Sequence, residues 1–152
     1  MPSFIIRRAV AADLVPIVQL LADDSLGAQR EDVRLPPGAG YTAAFEAIDA
    51  DPNQFLGVAV DGAEIIGTLQ ITFIAGLSRK GALRGQIEAV RVAASRRGKG
   101  VGEELINWAI AECRARGCQI VQLTSDKGRS DAHRFYERLG FSASHVGFKL
   151  SL

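Results

Sequence analysis

The residues from Glu88 to Glu103 combine a strand, a glycine-rich loop and the start of a helix, and together they could bind an anion. Three alternate glycines, Gly98, Gly100 and Gly102, allow the backbone to approach a ligand closely. The first N–H groups of the following helix lack intrahelical partners and lie at the positive end of its dipole. This arrangement suits a phosphate group. Three basic side chains in the loop suit a pyrophosphate or sugar phosphate: Arg96, Arg97 and Lys99.

Two common phosphate-binding loops do not fit this segment. A Walker loop requires Ser or Thr after its lysine, whereas Lys99 is followed by Gly100. A dinucleotide-binding fingerprint that starts at Gly98 requires glycine at the position of Glu103. The segment therefore indicates a different kind of phosphate loop.

The segment from Arg97 to Gly102 fits the pattern Arg/Gln-x-x-Gly-x-Gly/Ala after a Val-x-Val strand. A second segment, from Asp131 to Phe141, fits Ala-x-x-x-Tyr-x-x-x-Gly-Phe. In this order, and separated by a helix and a strand, the two segments resemble the signatures of the GNAT-type N-acetyltransferase superfamily over about residues 83–142. The resemblance implies that the ligand of the loop is acetyl-CoA.

The resemblance also implies roles for the backbone of the strand and the loop. The N–H of Val90 would bind the thioester carbonyl as a one-donor oxyanion hole, worth about 2–4 kcal/mol. The backbone at Val92 would pair with the pantetheine arm. The pyrophosphate would be held by the amides of Arg97, Gly98, Lys99, Gly100, Val101, Gly102 and Glu103.

Glu88 is a candidate general base, because an ammonium group cannot attack a thioester until it loses a proton. Strand side chains alternate, so residues 88, 90 and 92 are expected to share one face. Some members of the family use a glutamate at this position, often through water. Alternatively, Glu88 pairs with Arg84 or Arg91 or is solvated, and His145 or a water serves as the base.

Tyr136 occupies the family's general-acid position, where a phenol protonates the departing thiolate. The alternative is an aromatic side chain packed between helix and sheet. Many members have Asn where this chain has Arg129. Arg129 is expected either to contact the cofactor's phosphates or to point to solvent.

Hydrophobic periodicity predicts the elements that position these residues. Helices are predicted from about 12–13, over 41–50, 100–116 and 131–139, and strands over 4–8, 55–60, 64–74, 83–93 and 120–123, with a terminal strand or hairpin at 141–152. The loop at 25–40 is long, and Arg30, Glu31, Asp32 and Tyr41 are candidates for acceptor recognition. With the resemblance, this order predicts an α/β (α+β) fold with a mixed, mostly antiparallel sheet of six or seven strands and helices on both faces.

Length and composition predict a single domain over residues 1–152. The chain is 47% hydrophobic and 23% charged, with no apolar run long enough to span a membrane and no secretory signal pattern. Cys113 and Cys118 are expected to be buried free thiols in a reducing cytoplasm, and together with two histidines they match no metal-ligand spacing. We therefore expect a cytoplasmic protein without a metal.

Charge is divided unevenly along the chain. Residues 1–80 hold ten acidic and six basic residues, a net charge of −4, whereas residues 81–152 hold seven acidic and twelve basic residues, a net charge of +5. The positive half contains the loop, as a multiply phosphorylated ligand requires. The overall charge of +1 and the lack of aromatic residues among the loop's bases disfavour nucleic acid as a partner.

These observations predict an acetyl-CoA-dependent N-acetyltransferase that transfers the acetyl group directly to a primary amine in a ternary complex. No candidate acyl-enzyme nucleophile is evident, since Cys113 falls on the buried stripe of its helix. The alternative is a catalytically silent acyl-CoA-binding sensor or a transcription-related regulatory protein on the same fold. The acceptor, a small molecule or a protein amino group, stays open, and the family suggests a homodimer through the terminal strands.

Overall fold

The computed structural model describes residues 3–152, which divide into two compact units, one ending at Gln122 and the other running from Leu123 to Leu152. The strands are β1 (Ile5–Arg8), β2 (Gln54–Asp61), β3 (Glu64–Ile74), β4 (Arg84–Val92) and β5 (Ile120–Leu123). The helices are α1 (Leu14–Ala22), α2 (Gly27–Arg30), α3 (Ala39–Ala50), α4 (Ser78–Gly81), α5 (Val101–Ala115) and α6 (Ser130–Arg138), with 3-10 turns at Ala11–Asp13 and Ala94–Arg96. The single-domain organisation stays a prediction.

The five strands form one sheet in the order β1-β2-β3-β4-β5. The first four run antiparallel to their neighbours. Two hydrogen bonds join β4 and β5: Gln119 N donates to Leu83 O at 3.0 Å, and Gln122 Nε2 donates to Gln86 Oε1 at 2.9 Å. The residue numbers of both pairs increase together by the same amount, so β5 runs parallel to β4. The predicted mixed, mostly antiparallel sheet is therefore confirmed.

The predicted number of strands, six or seven, is wrong for the described residues. The difference falls on residues 141–152, which form no strand or hairpin. Alternation of apolar and polar residues predicts a strand only where a sheet edge and an apolar surface receive it. Val146, Phe148 and Leu150 are 69%, 93% and 86% exposed, so no such surface among residues 3–152 covers them.

Helix α5 packs on one face of the sheet. Its buried stripe comprises Val101, Leu105, Ile106, Ala109 and Cys113. Close packing against the sheet requires a residue without a side chain at Gly67, where a Cβ would lie 2.9 Å from Leu105 Cδ1. The stripe that the 3.6-residue period predicts is therefore confirmed, and it fixes the start of α5 next to the end of β4.

The opposite face of the sheet carries a second apolar cluster with helices α1 and α3. Its buried residues are Ala9, Ile17 and Val58, and partly buried neighbours include Leu21, Phe45 and Leu56. Helix α3 packs against β2, and helix α1 packs against β3 and β4. Together with α5, this layer confirms helices on both faces.

An ion pair fixes the start of α1 against β1, and its loss should destabilise the fold. Asp13 is 6% exposed and accepts hydrogen bonds from Arg7 NH1 at 2.7 Å and from Val10 N at 2.8 Å. The hydrogen bond from Arg7 is the main cause that lowers the pKa of Asp13 below its usual value. Asp13→Asn should therefore lower the free energy of unfolding by about 2–4 kcal/mol in urea titrations at neutral pH.

The pH dependence of this ion pair has a defined sign. A carboxylate whose pKa is lowered by folding stabilises the fold above its unfolded pKa, and that contribution is lost as the pH falls through the folded pKa. The difference between wild type and Asp13→Asn should consequently shrink as the solution is acidified below about pH 4. A difference that stays constant down to about pH 2 would contradict the assignment to this ion pair.

The second unit consists of the end of β5, helix α6 and the terminal segment. Helix α6 is amphipathic and its chain reverses at Gly140, whose φ of 96° lies in the left-handed region that favours glycine. Phe141 N donates to Tyr136 O at 3.1 Å, which closes this turn. The predicted helix and its terminating glycine are confirmed.

Candidate active site

Strand β4 contains a bulge at the position predicted to bind the thioester. Glu88 pairs with Gln70 and Arg91 pairs with Thr68, so two residues of β4, Ala89 and Val90, stand opposite one residue of β3. Ala89 has a φ of 54°, which is uncommon for a residue with a side chain. A bulge leaves its extra residue outside the ladder, and such bulges occur next to active sites.

The bulge overturns the prediction that residues 88, 90 and 92 share one face. Cross-strand partners lie on the same face of a sheet, so Glu88 lies on the face of its partner Gln70. Val92 pairs with Gly67, which lies on the opposite face with α5. The insertion of one residue breaks the alternation that the prediction assumed, and it separates the side chain of Glu88 from that of Val92.

The glycine loop leaves a set of backbone amides open at the start of α5. Gly98 and Gly100 have φ values of 75° and 85°, which only glycine adopts without strain. Gly100 is the N-cap of the 15-residue helix α5 and no side chain caps this end. A Cβ at Gly98 or Gly100 would meet no protein atom within 4 Å. The first turn of α5 thus presents its N–H groups to an open space, as an anion site requires.

Two of the three cations of the loop are already paired with the protein. Arg96 NH1 lies 2.7 Å from Asp61 Oδ2 and its NH2 lies 3.1 Å from Glu64 Oε2, at the β2–β3 hairpin. The hydrogen bond to Asp61 is the main cause that raises the pKa of Arg96. Arg96 therefore ties the loop to the hairpin.

Arg97 ties the loop to two other elements. Its NH2 donates to the carbonyl oxygen of Asp23 at 2.8 Å and its Nε donates to the carbonyl oxygen of Val92 at 3.2 Å. Lys99 is exposed and forms no ion pair with the residues that the structure describes. Lys99 is accordingly the loop cation best placed to meet an external anion.

An open depression of about 510 Å³ lies beside the loop and the first turn of α5. Glu103 and Glu104 belong to the same first turn, where acidic side chains interact favourably with the helix dipole. The lining residues are Ser3, Phe4, Arg96, Lys99, Gly100, Val101, Glu103 and Glu104.

The face of Glu88 carries polar side chains that sequence reasoning did not single out. Glu88 is exposed, and Thr72 Oγ1 lies 3.5 Å from its Oε1. Gln54, Gln70, Gln86 and Gln122 lie near it on the same face. The signal was present in β3, where Thr68, Gln70 and Thr72 alternate with Gly67, Leu69 and Ile71.

Cys113 is unsuited to nucleophilic catalysis. Cys113 is fully buried, and this burial, with a smaller effect of Cys118, raises the pKa of its thiol to about 12. The reactive form of a cysteine is the thiolate, which is therefore absent at neutral pH. Both cysteines are free thiols, and Cys118 is half-buried rather than buried as expected.

The candidates in the long loop form a local cluster. Tyr41 Oη donates to Glu31 Oε1 at 3.0 Å and accepts from Asp32 N at 2.9 Å. Arg34 forms an ion pair with Asp32, and its hydrogen bonds lower the pKa of Asp32 to about 2. Arg30 donates from Nε to the carbonyl oxygen of Leu26 at 3.2 Å. These contacts order the loop, and its role in acceptor recognition stays a prediction.

The second unit holds three of the candidate residues. Tyr136 is half-buried in α6 and its ring lies 5.2 Å from that of Phe135 and 5.9 Å from that of Phe141. Arg129 is half-buried at the N-cap of α6. His145 is exposed, and its Nδ1 lies 2.7 Å from Ser144 Oγ.

Neither a metal cluster nor a membrane-spanning helix occurs in the described part of the chain. Between Ser3 and Leu152 no group of three or more His, Cys, Asp or Glu side chains is arranged to hold a metal ion. No helix in that range has both the length and the apolar character to cross a bilayer.

The bulged strand, the open amides and the uncapped helix N-terminus lie where the sequence predicts the acetyl-CoA site. The family model described as "Acetyltransferase (GNAT) family" matches residues 18–141. The chain therefore belongs to the GNAT acetyltransferase family, and it is an N-acetyltransferase by class.

Two relatives are named as acetyltransferases, and one similar solved structure carries a different name. The chain is 32% identical over 112 residues to an aminoalkylphosphonate N-acetyltransferase from Salmonella typhimurium, covering 74% of this chain and 72% of the relative. It is 33% identical over 135 residues to a streptothricin acetyltransferase from Streptomyces lavendulae, covering 89% of this chain and 61% of that relative. A solved structure named as a transcriptional regulator from Bacillus halodurans is 47% identical, with a TM-score of 0.96, and the match covers 98% of this chain and 99% of that one.

Proposed function

We propose that this protein transfers the acetyl group of acetyl-CoA directly to the primary amine of a small molecule, in a ternary complex. The observation that carries the proposal is the bulge at Ala89–Val90 next to an uncapped helix N-terminus. One feature supplies a backbone donor for a thioester oxygen, and the other supplies amides for a pyrophosphate. An acyl-CoA carries both groups, and the family model makes acetyl-CoA the donor that we propose.

Different residues of the first unit bind different parts of acetyl-CoA. The amides from Arg97 to Glu103 hold the pyrophosphate, with Lys99 as an additional positive charge. The backbone of Val92 pairs with the pantetheine arm, and the N–H of Val90 donates to the thioester carbonyl oxygen. The side chain of Gln122 is hydrogen-bonded to that of Gln86, so the β5 residues of the first unit lie beside only the first half of β4. Val90 and Val92 lie beyond that part.

Glu88 takes the proton from the attacking amine, directly or through a water. Its exposure and its position two residues before Val90 support this role. The free amine attacks the thioester carbon, the C–N bond forms, and the C–S bond breaks as the thiolate leaves. The buried and protonated thiol of Cys113 supports direct transfer rather than an acetyl-enzyme.

Tyr136 protonates the departing thiolate in this proposal, and Arg129 contacts the cofactor's phosphates. Both assignments rest on the place of these residues in or near the second signature. Since thiolates leave readily, Tyr136→Phe should lower kcat by only about tenfold, while the KM for acetyl-CoA stays unchanged. Steady-state assays of thiol release test this expectation. An unchanged kcat at every pH would contradict the acid role.

We also propose that the protein is cytoplasmic and that it forms a homodimer through the terminal segment, residues 141–152. The apolar side chains of Val146, Phe148 and Leu150 are exposed at alternate positions, as in a strand that awaits a partner. Wild type should have twice the chain mass of 16.2 kDa in light scattering, whereas Phe148→Asp should have the single-chain mass. Leu77→Asp is the matched control, because Leu77 is equally exposed outside the segment. A monomeric wild type or a dimeric Phe148→Asp would contradict this proposal.

The test of the proposed function is a screen of amines with acetyl-CoA, in which thiol release and the mass of the product are measured. We expect at least one small amine to yield coenzyme A and its N-acetyl derivative. The name of the Bacillus halodurans structure makes a regulatory protein the competing outcome. Stabilisation by acetyl-CoA without release of thiol from any amine would favour an acyl-CoA sensor, and salt-dependent DNA binding without such stabilisation would favour a DNA-binding regulator.

A further inference from the structure

We infer that the acceptor is an amine whose remaining groups are neutral hydroxyls or amides, bound by a polar strip on the sheet face of Glu88. The inference rests on the proposed function, because it extends the acceptor side of the same site. Six side chains on strands β2 to β5 define the polar strip: Gln54, Gln70, Thr72, Gln86, Glu88 and Gln122.

The polar strip is a continuous row across four strands. Gln54 of β2 pairs with Thr72 of β3, and Thr72 pairs with Gln86 of β4. Gln122 of β5 continues the row through its hydrogen bond of 2.9 Å to Gln86. Glu88 lies two residues along β4 from Gln86, which places the candidate base beside the row. An acceptor with its amine at Glu88 would therefore extend along these side chains.

The hydrogen bonds within the polar strip leave both donors and acceptors available. Gln54 Oε1 accepts from Gln70 Nε2 and from Thr72 Oγ1, each at 3.0 Å. Across residues 3–152, the structure gives no protein partner to the amide nitrogens of Gln54 and Gln86 or to the amide oxygens of Gln70 and Gln122. Hydroxyl and amide groups both donate and accept, so they match this alternation.

The composition of the polar strip is unusual for a sheet face that serves only to pack. On the β1–β2 side, the same face carries Val58 and Leu56 against α1 and α3. The strip instead places five neutral polar side chains in half-buried positions and leaves Glu88 exposed. Half-buried amides with unpaired donors and acceptors gain hydrogen bonds from a polar ligand, which apolar packing cannot supply.

The charge of the polar strip disfavours an anionic tail on the acceptor. Its single charged member is the carboxylate of Glu88. Of the two arginines that continue this face on β4, Arg91 is paired, with its Nε 3.3 Å from Asp24 Oδ2, and Arg84 lies outside the strip, where its NH2 donates to Ser78 Oγ at 3.1 Å. A phosphate or phosphonate here would meet Glu88 without a cation supplied by the strip. This chain should thus differ in acceptor from the relative named as an aminoalkylphosphonate N-acetyltransferase.

Matched acceptors and variants test the inference in one assay. Initial rates of thiol release are measured with glucosamine and its 6-phosphate, which differ only in the phosphate, and with ethanolamine and aminoethylphosphonate. The variants are Gln86→Leu and the shape-conserving Thr72→Val. The control is Gln119→Leu, since Gln119 is exposed and lies just before β5, outside the polar strip. Acetyl-CoA binding is measured in parallel by thermal shift.

We expect the uncharged acceptors to exceed their anionic counterparts by about tenfold or more in kcat/KM. Gln86→Leu and Thr72→Val should raise the KM for glucosamine about tenfold without changing acetyl-CoA binding, and Gln119→Leu should change neither. Preference for the anionic acceptors, or wild-type KM values in both strip variants, would overturn the inference that the polar strip binds the acceptor and would leave the proposed function standing. Acetyl-CoA binding without transfer to any acceptor would overturn the proposed function, and the inference with it.

Discussion

Gly100→Val should weaken acetyl-CoA binding by about 100-fold or more, equivalent to about 2.8 kcal/mol. Gly100 has a φ of 85°, where a β-branched residue costs about 1–3 kcal/mol of backbone strain. A Cβ at this position meets no protein atom within 4 Å, so a new side chain would enter the open space in front of the amides. Binding should be measured by calorimetry with acetyl-CoA and with coenzyme A.

Gly117→Val provides a matched control for this experiment. Gly117 follows α5 with a φ of 83°, and a Cβ there also meets nothing within 4 Å. The two variants should therefore lose similar stability in thermal unfolding, whereas only Gly100→Val should lose the ligand. Equal affinities in the two variants would show that the loop does not bind the pyrophosphate.

Glu88→Gln should lower kcat/KM by about 100-fold at low pH, where most of the amine carries a proton that a base must remove. The variant should approach wild type as the pH rises from about 6.5 towards the pKa of the amine, because the free amine then becomes abundant. Glu88 is exposed, and within residues 3–152 its one hydrogen-bond contact is the 3.5 Å contact with Thr72 Oγ1, so the substitution removes a charge without disturbing the core. The measurement is a pH profile of kcat/KM for the acceptor, from initial rates of thiol release at varied acceptor and saturating acetyl-CoA concentrations.

Glu46→Gln is the control for the loss of one carboxylate, since Glu46 is an exposed residue of α3. Its pH profile should match that of wild type. A Glu88→Gln profile parallel to wild type across the whole range would assign the proton transfer to another group, such as His145 or a water.

The sequence predicts the elements that carry a strong local signal. The buried stripe of α5 follows from hydrophobic periodicity, and the structure confirms it. The positive φ values at positions 98, 100 and 117 agree with the backbone preference of glycine. The bulge at Ala89 does not follow from the sequence, because alanine rarely adopts a positive φ. It arises from pairing with β3, which is a tertiary property.

The partners of the loop cations also depend on tertiary structure. Arg96 and Arg97 are adjacent in the chain, yet one contacts the β2–β3 hairpin and the other contacts the end of α1. The number of positive charges in the loop does not reveal that two of these side chains already bind other groups of the protein. The terminal segment shows the converse, because its alternation predicts a strand, yet residues 141–152 form none in the part of the chain that the structure describes.

The central claim, direct acetyl transfer in a ternary complex, is tested most directly by mass spectrometry of the protein and of the products. Acetyl-CoA alone should leave the protein at its unmodified mass. With an accepted amine, coenzyme A and N-acetyl product should form in equal amounts and the protein should again be unmodified. An acetylated protein that passes its acetyl group to the amine, or acetyl-CoA bound without product from any amine, would contradict the account.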